Sequence, residues 1–155
     1  MQLSKYTDYA LRVMIYLAGR PTLVSTIDDI AACYGISKEH LRKVVHHLAR
    51  DGWIDSRRGR GGGLRLRQLP AEICVGAVVR ATEENLAIVE CFEPGRDRCR
   101  ISGVCRLAGM LDEALQAFLQ VLDAYTLDDI VAGEAALFAR LGLPEPHSAV
   151  TETRQ

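Results

Sequence analysis

The chain has 155 residues, 48% of them hydrophobic and 25% charged, a balance that excludes a disordered chain and a collagen-like fibre. No apolar run approaches the ~20 residues that span a bilayer. The apolar stretch Ala10 to Ala18 is broken by Arg12 and lacks a small-residue cleavage site, so a cytoplasmic protein with no membrane partner and no signal peptide is expected. The net charge of −1 hides an asymmetry: residues 38–67 carry nine Lys/Arg against three Asp/Glu, a net +6, and residues 106–155 carry three against eight, a net −5. A cationic middle in an anionic chain points to a polyanion site or to a solvated basic surface.

Leu3, Tyr6, Ala10, Val13, Met14 and Leu17 recur at helical spacing and predict a first helix that Gly19 and Pro21 end. A short second helix fits Ile27 to Tyr34, with Thr26 as N-cap and Gly35 as the interruption. Ser37 is a good N-cap for a third helix from Lys38 to about Arg50, closed by Gly52. Trp53-Ile54 starts a strand, residues 57–63 form a glycine-rich tip, and Leu64, Leu66 and Leu69 alternate with polar residues in a second strand. After Pro70 a fourth helix is expected over Ile73 to Ala81, then an irregular stretch over residues 84–104. A long helix follows from Arg106 to Ala124, with Leu107, Leu111, Leu115, Phe118 and Leu122 on one face and Ala114 and Leu119 beside them. Thr126 with Asp129 marks the start of a last helix, and the tail beyond Gly142, with Pro144 and Pro146, is expected to fray.

This order predicts a mainly α fold with a small β-wing: a winged helix-turn-helix head over residues 1–70, a linker helix and cysteine loop over 71–105, a dimerisation helix and C-terminal helix over 106–141, and a flexible tail over 142–155. In the third helix Leu41, Val44, Val45 and Leu48 share one face, and Arg42, Lys43, His46 and Arg50 fall roughly opposite. One face can pack on the head while the other enters a groove of double-stranded DNA. Ser37 and Lys38 sit at the N-terminal end, which also carries the positive pole of the helix dipole. Arg57, Arg58 and Arg60 lie on a flexible tip among glycines that allow close backbone approach, suited to phosphate or a narrow minor groove. A nucleotide-binding loop is excluded, since no Gly-Lys-Ser/Thr follows and no GxGxxG is present. No CxxC pair, dinucleotide fingerprint or substrate-binding constellation argues for an enzyme. A histidine metal site is not expected either, because His46 and His47 are adjacent and point in different directions.

Cys91, Cys99 and Cys105 place three of the five cysteines within 15 residues of a stretch between two helices. An iron–sulfur cluster, a zinc site, a thiol switch and chance clustering all stand as readings; the absence of paired CxxC knuckles weakens zinc. Arg96, Arg98, Arg100 and Arg106 surround these thiols and would favour thiolates, or simply solubilise the loop. Cys33 and Cys74 read as small buried hydrophobes on helices.

These features together resemble the winged-helix iron–sulfur transcription repressors of bacteria, a family with NsrR, IscR and RirA types. The resemblance covers residues 1–140. It rests on Tyr6-Thr7-Asp8-Tyr9-Ala10-Leu11-Arg12, on Gly35-Ile36-Ser37 with His40 and Lys43, and on Arg58-Gly59 with Gly62-Gly63 and Leu66. The three cysteines and Tyr125-Thr126-Leu127-Asp128-Asp129 complete it. Val89-Glu90-Cys91-Phe92 and Cys105-Arg106-Leu107 look most like the NsrR type, the nitric-oxide-sensing one. The resemblance implies a homodimer on a palindromic operator, contacts to DNA that include His40 and Lys43, and a [4Fe–4S] or [2Fe–2S] cluster on Cys91, Cys99 and Cys105. IscR-type members place a histidine three positions after the third cysteine, where this chain has Ala108. The nitric-oxide-sensing type implies instead an aspartate near the N-terminus, supplied by the other subunit, and Asp8 matches it.

Overall fold

Local capping sets most helix boundaries in the computed structural model, which describes residues 2–57, 59, 61–93 and 95–143. Helix α1 (Lys5–Ala18) starts at Ser4, whose hydroxyl accepts the Thr7 N–H. Helix α2 (Ile27–Tyr34) opens with a reciprocal capping box: the Thr26 hydroxyl accepts the Asp29 N–H, and the Asp29 carboxylate accepts the Thr26 N–H at 2.8 Å. Gly35 ends it in the left-handed region, at φ 65°. Helix α3 (Lys38–Arg50) begins at Ser37, which accepts the His40 N–H.

The wing pairs β1 (Ile54–Arg57) with β2 (Gly63–Leu66) antiparallel, Ile54 opposite Leu66 and Arg57 opposite Gly63. Ser25, just before α2, adds two backbone hydrogen bonds to Leu64 and so ties the wing to the helix-turn-helix. Only glycine suits position 63. Its φ is 154°, and a Cβ there would run into Val24 Cγ1 and lie 2.7 Å from the Ser25 carbonyl oxygen.

Two expected boundaries need correction. The second strand stops at Leu66 instead of reaching Leu69, which is 66% exposed. Pro70 opens a 3-10 turn, Pro70–Glu72, and the Glu72 carboxylate accepts the Leu69 N–H at 3.1 Å, so the chain leaves the sheet. Helix α4 (Val75–Thr82) starts two residues later than expected, and Cys74 occupies its N-cap position. Cys74 is held extended by a bridge to Thr126, with Leu127 N–H on the Ile73 carbonyl at 3.0 Å and Val75 N–H on the Tyr125 carbonyl at 2.9 Å. In α5 (Arg106–Asp123) the apolar residues are divided between a buried and an exposed side. Leu115 and Leu119 are buried and α5 packs against α4, whereas Leu107 is 59% exposed.

The single last helix expected after Thr126 is instead two short helices, α6 (Leu127–Val131) and α7 (Ala135–Leu141), because Gly133 between them turns the chain at φ 71°. Thr126 and Asp129 make the expected capping box. Both helices contribute to the core of the head. Ala10, Val13, Met14 and Leu17 of α1 share one buried cluster with Leu41 and Leu48 of α3, Val78 of α4, Leu127 of α6 and Phe138 of α7. Phe138 approaches Gly19 so closely that a Cβ there would sit 2.8 Å from its ring. Helix α1 is the hub, in contact with α3, β2, α4 and α6. Residues 144–155 lie outside the described residues.

Candidate nucleic-acid interface and thiol loop

Helix α3 divides as its periodicity predicts. Leu41, Val44, Val45 and Leu48 are buried, while Ser37, Lys38, His40, Arg42, Lys43 and His46 are exposed. Neighbouring acids hold two of the cations: Lys38 Nζ lies 3.0 Å from Asp28 of α2, and Lys43 Nζ 3.7 Å from Glu39. The Ser37 hydroxyl lies 2.8 Å from His40 Nδ1. Arg42 and Arg57 line an open cleft of about 730 Å³ between α3, the start of α2 and the wing, together with Asp28, His46, Gly59 and Gly62. Arg58 and Arg60 lie outside the described residues. The fold thus brings Arg42 of α3 to face Arg57 of the wing, with Lys38 and Lys43 exposed on the same helix. His46 joins them in the cleft; its place opposite the buried face was the sequence signal that could have singled it out.

Beneath this face α3 is fastened to α1. The Tyr6 hydroxyl lies 2.7 Å from His47 Nδ1, and His47 Nε2 lies 2.9 Å from the Asp51 carboxylate. Burial pushes the Tyr6 phenol pKa up. A hydrogen bond from Arg50 holds the Asp51 carboxyl below the usual carboxylate range. These contacts fix the C-terminal end of α3 against α1.

The thiols lie on the loop between α4 and α5. Cys91 sits in a 3-10 turn, Glu90–Phe92; Cys99 is exposed; Cys105 precedes the first residue of α5. All are free. The root of the loop is anchored at Glu83, whose carboxylate accepts the Ser4 N–H at 3.0 Å and the hydroxyls of Ser4 and Thr7. Asp8, in the first turn of α1, pairs with Arg12 at 2.9 Å and is about half exposed. Among the described residues no three His, Cys, Asp or Glu side chains are gathered so as to hold a metal ion. The structure therefore does not bring Cys91, Cys99, Cys105 and Asp8 together in one chain. As a donor set, three free thiols on one loop fit the thiolate ligation of an iron–sulfur cluster, with one position left for another group. Cys33 is half-buried on α2, where burial raises its thiol pKa and it donates to the Leu141 carbonyl at 3.5 Å. Cys74 is half-buried beside Asp123, at the cap of α4 and not within the helix.

A winged helix-turn-helix head with a cationic face, joined to a long helix through a cysteine loop, is the build of a DNA-binding transcription regulator and not of an enzyme. Residues 3–133 match the Rrf2 family, described as iron-dependent transcriptional regulator, and the chain belongs to that family. It is similar to the HTH-type transcriptional regulator NsrR of Geobacillus kaustophilus, with 53% identity over 138 residues that cover 88% of this chain and 94% of the relative. The NsrR regulator of Bacillus subtilis is 49% identical over 146 residues, covering 94% of this chain and 100% of that protein. Among solved structures, CymR, the global cysteine regulator of B. subtilis, matches with a TM-score of 0.66 and 26% identity, covering 84% of this chain and 95% of that one. No helix among the described residues is long and apolar enough to cross a membrane.

Proposed function

We propose that the protein is a homodimeric, iron–sulfur-dependent repressor that binds a palindromic operator and responds to nitric oxide. The observation that carries this reading is the grouping of three free thiols on one loop, rooted through Glu83 on the helix that supports the DNA-reading head. Similarity to regulators named NsrR over most of the chain supports the choice of signal. Cys91, Cys99 and Cys105 would hold the cluster, and Asp8 of the partner subunit would supply the remaining ligand. When bound, such a cluster supplies iron that reacts with nitric oxide. The family description as iron-dependent also favours a second reading, in which iron availability is the signal.

The chain's own residues account for the rest. Helix α5 exposes Leu107, Met110, Ala114, Ala117 and Val121 at spacings of three and four residues, the pattern by which helices of two copies interdigitate. A twofold axis places two α3 helices in successive major grooves, about 10 bp apart. Arg42 and Arg57 supply charge to the DNA backbone, and Lys38 and Arg42 stand where base edges are read.

Anaerobic purification tests this reading. A brown protein with iron and acid-labile sulfide, whose promoter binding is lost after stoichiometric nitric oxide, is the expected result. A colourless protein containing zinc overturns cluster dependence, and promoter binding insensitive to nitric oxide but altered by iron depletion selects the second reading. Cys91→Ala, Cys99→Ala and Cys105→Ala should each lose most of the iron, whereas Cys33→Ala and Cys74→Ala should keep it. Asp8→Ala should keep part of it, because water or a thiol from the buffer can replace a carboxylate.

A further inference from the structure

Three histidines lie on α3, and their surroundings differ. His40 is engaged with Ser37 at 2.8 Å, and His47 is held at both ring nitrogens, by Tyr6 and Asp51. His46 is exposed and, among the described residues, makes no hydrogen bond or ion pair. It lines the cleft between α3 and the wing, one helical turn beyond Arg42 and on the opposite wall from Arg57. When α3 occupies the major groove and the wing reaches the neighbouring minor groove, the sugar-phosphate strand between the two grooves runs through the space between α3 and the wing. That space is this cleft.

We propose that the cleft seats this backbone strand and that protonated His46 is one of its phosphate contacts. The inference rests on the DNA-binding reading above and adds a subsite to it. Among the described residues, the charged groups that line the cleft with His46 are Arg42 on its own helix, Arg57 on the wing, and Asp28 at the start of α2. The Asp28 carboxylate is already paired with Lys38 at 3.0 Å. The walls thus offer cations to an anion. The glycines of the tip, Gly59 and Gly62, leave room for a backbone to approach. A neutral imidazole offers phosphate one N–H. An imidazolium adds a charge and displaces one more condensed counterion from DNA. Phosphate binding and proton uptake then favour each other, so affinity rises as pH falls through the range in which imidazoles titrate, whatever the DNA sequence.

The test uses the intact protein, purified anaerobically, and a fluorescently labelled mixed-sequence duplex of roughly 30 bp, followed by anisotropy at pH 6 and pH 8 over a series of salt concentrations. Wild type should bind about 3–10-fold more tightly at pH 6 near 0.1 M salt, with a log–log salt slope steeper by up to about 0.9. His46→Gln should flatten both differences. His46→Arg, a permanent cation, should bind at pH 8 as wild type does at pH 6. A His46→Gln protein that keeps the wild-type pH response overturns the proposal, as does a His46→Arg protein no tighter than wild type at pH 8. If wild type binds the duplex equally at both pH values, the phosphate contact alone fails. If it binds no duplex at either, the DNA-binding reading fails with it.

Discussion

The head and the thiol loop are made of the same chain yet settle their shapes in different ways. In the head, the N-termini of α1, α2 and α3 are capped by neighbouring hydroxyls, and α1 is buried among residues from four other elements. Among the described residues, the loop over 84–105 has one short 3-10 turn and no fully buried side chain: Leu86, Ile88, Val89 and Phe92 are half-buried, while Val104 is 81% exposed and Ile101 54%. Burial specifies the head without help. The loop carries reactive side chains with little burial to fix them, so its arrangement is open to whatever those side chains bind.

Core and loop substitutions should separate the two regimes most strongly. Phe138→Ala, at a site 1% exposed, should cost about 3–5 kcal/mol in urea unfolding. Val104→Ala in the loop should fall within about 0.5 kcal/mol. Comparable losses would mean that the loop is part of the folded core. On α5 the same contrast exists between two sides of one helix. Leu115→Asp should destabilise the α4–α5 contact by about 2–4 kcal/mol, because it buries an unpaired carboxylate. Val121→Asp should leave the fold intact and separate the dimer in analytical ultracentrifugation. A dimer unaffected by Val121→Asp would place the partner elsewhere.

Smaller effects are expected on the DNA face. Arg42→Ala and Arg57→Ala should each weaken binding by about 1–3 kcal/mol and reduce the salt slope by about 1. Arg42→Ala should in addition change which promoter sequences are preferred, and equal losses on all duplexes would reduce it to a backbone contact. The smallest changes belong to the caps: Thr26→Ala and Thr126→Ala should each cost about 1 kcal/mol in thermal melts. Backbone hydrogen bonds from Thr26 and Thr126 hold the Asp29 and Asp129 carboxyls below the usual carboxylate range. Their contribution is therefore complete above the ordinary carboxylate pKa and disappears as pH falls through the depressed folded-state value. The stability gap between wild type and Asp29→Asn should accordingly persist from pH 7 down to about pH 4, the ordinary carboxylate range, and narrow on further acidification. A gap that widens in acid would contradict the cap assignment.

The bounds of α2 and α3, their caps at Thr26 and Ser37, the capping box at Thr126, and the split of α3 into an apolar and a cationic face were all determined by the sequence itself. Each depends on residues three or four positions apart, a distance that backbone geometry alone fixes. The placing of Cys91, Cys99 and Cys105 on an irregular stretch between two helices was legible in the same way. Only the tertiary structure decided where Leu69 and Cys74 go, since Pro70 turns one out of the sheet and the bridge to Thr126 holds the other before α4. It alone decided that Leu115 and Leu119 are buried while Leu107 and Val121 are left open, and that Phe138 returns to Gly19. It also brought Arg42, His46 and Arg57 around one cleft. Periodicity reveals that a face is apolar or charged, but what covers that face is set by residues far along the chain, and packing settles their positions only when all the elements are in place.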